Sequence, residues 1–328
     1  MMEGLSKKIQ LLTDNYHEVK KEFRWDMSIL NHFLALSYAA KGKRIDAEKI
    51  REIKSYIKDK TGPFSVFRGN NLSIMSLFLS FEDDYKIFFT EIQELVEKLK
   101  YEKISSYQFS PMIAYTFVKN SSYDNREEKI ARAKLFYKNM KQRHMFLTSK
   151  DDYVYAALLG CTDLDVEETC RRIEYIYEKL NSMGYSIGNG LQTVSHVLAL
   201  SDDFDFRIKL FDQIAGELKK HNINIRSYSW PFMAVMALVS DEASEICSQA
   251  AEVYFILKNT SGYGSFMMQG YIRTIISCAL AASLYIPEDN KLVSISTGLS
   301  MQLIAVAQQQ AMIAAASAAA ASSGASGS

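Results

Sequence analysis

The chain has 328 residues, enough for one large domain or two ordinary ones, and 48% of them are apolar, so core material is plentiful. Its 38 Lys and Arg balance 38 Asp and Glu, which argues against nucleic acid as the main partner, because phosphate binding needs a basic surplus. Only 4 prolines occur, where average usage would supply roughly sixteen; proline lacks the N–H that an interior helical turn needs, so the composition points to long helices.

In chain order, Met1 to Lys8 lead into no apolar leader segment, so no secretion signal is expected. Leu5 to Phe23 read as an opening amphipathic helix without a partner. Short apolar segments then recur, beginning near Asn31 (NHFLALSYAA), Asn71 (NLSIMSLFLS), Pro111 (PMIAYTFVKN), Asp152 (DYVYAALLGC), Gln192 (QTVSHVLALS), Pro231 (PFMAVMALVS) and Tyr271 (YIRTIISCAL). The step is 39 to 41 residues, the range of helical repeat arrays. Each such segment, A, is apolar nearly all round and is expected to be a buried helix. Asn31, Asn71 and Asp152 suit an N-cap. Pro111 and Pro231 suit a first turn, where the missing N–H would have had no partner anyway.

A longer segment, B, follows each A and opens at an acid: Asp46, Asp83, Asp124, Asp165, Asp205, Asp241 and Glu288. An acid there caps free N–H groups and complements the positive end of the helix dipole. Apolar residues recur along B at helical spacing, as in Ile173, Ile176, Tyr177 and Leu180, or Phe88, Ile92, Leu95 and Leu99. Lys98 and Lys100, Lys141 and Arg143, and Lys219 and Lys220 stand where the negative end of the dipole favours a cation. The fold class expected is therefore all-α: an opening helix and about seven hairpins of about 40 residues, in one domain over 1–310. The stack could be an open α-solenoid or a closed α/α toroid, because both bury helix A. Residues 311–328, rich in Ala and Ser, read as a frayed or disordered tail rather than a membrane anchor.

Few residues carry chemistry. The acidic strings at Glu82, Asp83 and Asp84, at Asp151 and Asp152, and at Asp202, Asp203 and Asp205 fall where helices should start; DDFD lacks the spacing of a diphosphate-binding DDxxD face. His196 lies in an A segment as a core histidine, and His17, His32, His144 and His221 lie on apparent surfaces. Cys161, Cys170, Cys247 and Cys278 form no CxxC pair and read as reduced, buried thiols of a cytoplasmic protein. GYSIGNGLQ, with Gly184, Gly188 and Gly190, lacks the strand and GK[ST] of a phosphate loop and reads as a connector. No catalytic residue, metal site or cofactor is identified, and no apolar run long enough for a membrane span precedes the C-terminus.

The B-to-A connections differ from plain turns. They run about ten residues and carry aromatics and arginine. Equivalent loops of a repeat array emerge on one edge, and aromatics with Arg are the composition of a binding surface. The candidate residues are Trp25, Phe67, Arg68, Tyr107, Tyr185, Arg226, Tyr228 and Trp230. The competing reading is that each aromatic plugs its own hairpin. The function expected is a non-enzymatic repeat protein that binds a peptide or protein segment. The alternative is an α/α-toroid enzyme acting on an isoprenoid or sugar in an acid-lined cavity.

The short-A, long-B pattern, the stretch DDFDFRIKLFDQIAGELKKHNINIRSYSWPFMAVMALVSD and the Ala-rich C-terminus together resemble a bacterial family, domain-of-unknown-function family four thousand and three. The resemblance covers nearly the whole chain. It implies a bacterial, cytosolic setting and brings no activity, ligand or functional residue with it.

Overall fold

The computed structural model describes residues 2–22, 28–101, 108–143, 152–264 and 268–286. Among them the chain is all helix. The short A helices are α2 (Ser28–Ala40), α4 (Asn70–Leu79), α6 (Ser110–Asn120), α8 (Tyr153–Cys161), α10 (Asn189–Leu198), α12 (Trp230–Val239) and α14 (Gly270–Ala282). The longer B helices are α1 (Met2–Glu22), α3 (Ala47–Lys60), α5 (Tyr85–Tyr101), α7 (Arg126–Arg143), α9 (Val166–Ser182), α11 (Phe204–Lys220) and α13 (Ala243–Lys258). A short 3-10 turn, Ser227–Ser229, leads into α12.

The A helices are as expected. Helix α8 has 9 residues, too short to hold by itself in water, and it forms because Val154, Tyr155, Leu158 and Leu159 are all buried. Each such side chain contributes about 1.5–3 kcal/mol. Pro111 and Pro231 sit in first turns. Two cap assignments shift. Helix α2 already starts at Ser28, so Asn31 is a buried interior residue. Asn71 lies inside α4 and donates instead to the carbonyls of Val66 and Gln108, tying two loops together. Asp46 and Asp165 do cap, accepting from the N–H groups of Lys49 and Glu168. Asp152 stands at the N-cap position of α8, though its side chain makes no capping bond.

The pairing phase also differs from the expected one. Each B helix packs most extensively on the A helix that follows it, from α1 on α2 to α13 on α14. The opening helix therefore has a partner, and the hairpin is B–A. The physical reason is a recurring cation near the start of B, which donates to the carbonyls that end the next A. Lys8 bonds Ala40 O. Lys49 bonds Glu82 O at 3.2 Å, and Lys129 bonds Thr162 O at 3.3 Å. Arg172 bonds Ala199 O at 3.1 Å, and Arg207 bonds Ala237 O at 2.9 Å and Ser240 O at 2.8 Å. Those carbonyls have no intrahelical partner, and the negative end of the A dipole favours the cation.

The helices group into two compact units that break between hairpins, Met1–Ile45 with Ser201–Ser328, and Asp46–Leu200. In the first unit, α2 and α1 pack on α14. Tyr16 stacks on His32 at 4.2 Å, and Tyr263 meets both rings edge-on. His32, expected on a surface, is buried in that contact, because α2 is covered on nearly every side. In the second unit successive B helices run parallel and staggered. Tyr85 at the start of α5 bonds Glu52 in mid-α3 at 2.6 Å, and Gln93 reaches Lys60 O at 3.5 Å. Arg126 at the start of α7 pairs with Glu91 of α5 at 2.8 Å.

A groove on the B-to-A edge of the second unit

The α3–α4 connection, residues 61–69, is built around its own arginine and phenylalanine. Arg68 turns back and donates to the carbonyls of Lys58, Thr61 and Gly62, closing the end of α3. Phe67 points inward and meets Phe89 edge-on at 5.0 Å. Gly69, at φ 60°, makes the turn into α4 in a conformation that other residues adopt only with strain. With Arg68 and Phe67 committed to the fold, Phe64 is left outside, 93% exposed.

This loop forms one wall of a groove of about 800 Å3. The other wall is a stripe of α5, Gln93, Val96, Glu97 and Lys100, which share one face because they recur at i, i+3, i+4 and i+7. Val66, Phe67 and Val96 lie at its base, each nearly buried, and Ser110 at the start of α6 also lines it. Lys60 and Lys100 are the lining cations and Glu97 the lining carboxylate, lying 3.7 Å from the Lys100 ammonium. Tyr101, next to Lys100, is 90% exposed. Phe64 and Tyr101 are the two most exposed large hydrophobic side chains among the described residues.

The sequence-derived candidates fare unequally. Trp25 and Tyr107 lie outside the described residues. Phe67 is a core plug and Arg68 a helix cap, so neither offers its side chain as a free contact. The physical reason is that the end of α3 needs a donor for three carbonyls and the hairpin needs a ring against Phe89. Tyr185 is half-buried, and its backbone closes α9, with its N–H on Leu180 O and its carbonyl accepting from Asn181. These three belong to the second unit. In the first unit Arg226 is exposed, Tyr228 is 54% exposed with its ring 5.8 Å from that of Tyr271, and Trp230 is half-buried at the start of α12. Sequence reasoning missed Lys60, Gln93, Glu97, Lys100 and Tyr101. The stripe on α5 is polar, so it read as a solvated face; its helical spacing beside a loop bearing two phenylalanines was the available signal.

The other sequence features resolve as structure. Glu82 is buried and accepts from Tyr115 Oη at 2.9 Å and Lys119 Nζ at 2.7 Å, and burial with this neighbour pushes the Tyr115 hydroxyl well above its ordinary range. Asp84 accepts from the N–H of Ile87, in the capping manner expected. Asp203 holds the N-cap position of α11 without a side-chain bond. His196 is buried in α10 beside Tyr155, and Gly184 to Gly190 join α9 to α10. Cys170, Cys247 and Cys278 are buried free thiols and Cys161 is half-buried; burial pushes the Cys161 thiol up to about 12. Among the described residues no three His, Cys, Asp or Glu side chains come together as a metal site would need, and no helix is long and apolar enough to cross a membrane.

Fold and groove together define a class, an all-helical protein of tandem hairpins with a lined groove on one edge. The chain belongs to the family described as "Protein of unknown function (DUF4003)", whose model matches residues 15–311. It is similar to the "Uncharacterized protein YeaA" of Bacillus subtilis (strain 168), with 25% identity over 240 residues, covering 69% of this chain and 70% of that protein. No solved structure matches.

Proposed function

We propose that the protein is a non-enzymatic helical-repeat binder that takes an extended peptide or protein segment on its B-to-A edge, in the cytoplasm. The observation that carries this reading is the groove of about 800 Å3, with Val66, Phe67 and Val96 at its base, beside Phe64 and Tyr101. Exposed rings next to a groove supply large contact area at low entropy cost. In this reading Phe67 and Arg68 act by holding the loop, and Phe64 and Tyr101 make the contact. Arg226 and Tyr228, with Tyr271 beside them, are a second contact on the equivalent edge of the first unit. Four free thiols, three of them buried, support a reducing compartment.

The test uses the full chain, immobilised and panned with a displayed library of random twelve-residue peptides. Retained peptides are then measured against Phe64→Ala and Tyr101→Ala, both changes at exposed rings. The expected result is peptides whose affinity falls by about 2 kcal/mol in the Phe64 variant, with helicity by circular dichroism unchanged. Retained peptides that bind both variants as well as the wild type, or no retained peptide at all, would refute a groove-centred binder.

A further inference from the structure

We infer that the segment this groove takes is acidic, with carboxylate side chains flanking an aromatic or aliphatic anchor; this rests on the peptide-binding reading above. The argument is electrostatic and begins with the helices. Each B helix of the second unit ends in lysine wherever its last turn is described, Lys58 and Lys60 in α3, Lys98 and Lys100 in α5, Lys179 in α9. Acids gather at the opposite ends, Glu48 in α3, Glu127 and Glu128 in α7, Glu167 and Glu168 in α9. Of these lysines, Lys98 is matched by Glu127 at the start of α7, whereas Lys60 and Lys100 line the groove.

At the groove this polarity is reinforced. The carbonyls ending α3 would ordinarily present negative charge to the loop wall. Arg68 occupies those of Lys58, Thr61 and Gly62, so the wall carries a guanidinium in place of a bare dipole end. Two ammonium groups then face one carboxylate across the lining, and that carboxylate, Glu97, already lies against Lys100. Lys60 sits 5.7 Å from the centre of the Tyr56 ring and has no carboxylate partner among the described residues. A neutral peptide would leave this field unanswered, and a basic one would be repelled. An acidic one answers Lys60 while its anchor packs against the exposed Phe64 ring.

The library experiment above decides the point when its retained peptides are sequenced and measured against Lys60→Glu/Lys100→Glu, with Lys7→Glu/Lys209→Glu as a control of equal charge change away from the groove. The expected result is enrichment of Asp and Glu around an apolar residue and about tenfold weaker binding to the groove variant. Little change is expected in the control. Binding should also weaken as salt rises from about 0.05 M to about 0.5 M, because these charges are exposed. Peptides that depend on Phe64 and Tyr101 but show no acidic bias and bind the groove variant equally would overturn the charge inference and leave the groove reading standing. Peptides that depend on neither Phe64 nor the lysines would overturn both. Equal weakening in the groove variant and the control would show a net-charge effect and overturn the assignment of the field to Lys60 and Lys100.

Discussion

Replacing Gly160 by alanine tests the packing of the hairpin by the sign of its effect. Gly160 lies in α8, where α7 passes close. A Cβ there would stand 2.7 Å from both Ala133 Cβ and Ala133 N and 2.8 Å from Lys129 O. Two of these atoms are backbone, so no side-chain rotation relieves the contact. Comfortable carbon contacts need about 3.5–4.0 Å, so the helices would have to part by roughly 1 Å. That movement also pulls Lys129 from Thr162 O and Asp163, now at 3.3 and 2.7 Å. Overpacking of this kind costs about 1–3 kcal/mol, and a loosened Lys129 adds about 1 kcal/mol. Helix propensity acts the other way, favouring alanine by about 1 kcal/mol. The net expectation is a loss of about 1–3 kcal/mol, read as a lower urea midpoint by circular dichroism. Gly216 is the control. It is helical and exposed, with nothing within 4 Å of its would-be Cβ, so Gly216→Ala should stabilise by about 0.5–1 kcal/mol. If Gly160→Ala also stabilises, α7 and α8 do not approach as described.

Two further outcomes follow from buried polar groups. Burial, with the Lys20 ammonium second, holds the His32 imidazole down at about 3. The folded chain thus excludes a proton that the unfolded chain accepts below 6.5, and stability should fall from there towards pH 3, by about 2 kcal/mol at pH 5. His32→Phe should flatten that part of the urea-midpoint profile between pH 7 and 5; an equal slope in the variant would clear His32 as the cause. Arg207→Met leaves Ala237 O, Ser240 O and Asp241 without their donor and should cost about 1.5–3 kcal/mol. Arg207→Lys should recover only part, since all three acceptors are served by the distal nitrogen Nη1, which the shorter lysine side chain reaches less well. Full recovery with lysine would mean that charge alone, and not the shared carbonyls, holds α12.

Most of the fold was legible because burial writes itself as period. The A segments are apolar all round, so their spacing survives even where identities do not. The phase of the hairpins was hidden for a different reason. It depends on one cation finding carbonyls far along the chain, as Lys49 finds Glu82 O and Lys129 finds Thr162 O, and carbonyls have no sequence signature. Caps divide similarly. Asp46 and Asp165 were readable because the acid itself is the acceptor. Asn31 and Asn71 misled because the helices begin upstream of them, at Ser28 and Asn70. At the site, two phenylalanines three residues apart have opposite fates, Phe67 buried and Phe64 exposed. Composition cannot separate them. What decides is that Arg68 folds back on α3 and draws its neighbour inward.

The same contacts favour one edge over the other for the proposed binding. At the A-to-B edge the ends of the A helices are occupied by cations from the preceding B helix, and Glu82 is buried under Tyr115 and Lys119. A ligand there would have to displace bonds that hold the hairpins, at a cost of about 1.5–3 kcal/mol for each charged hydrogen bond lost. At the B-to-A edge the α3 connection satisfies its own carbonyls through Arg68. Phe64 is 93% exposed there. Repeat arrays tolerate change in loops that their neighbours do not lean on. On the proposed reading, changes at Phe64, Lys60 or Lys100 would alter partner choice while Phe67 and Arg68 keep the hairpin closed.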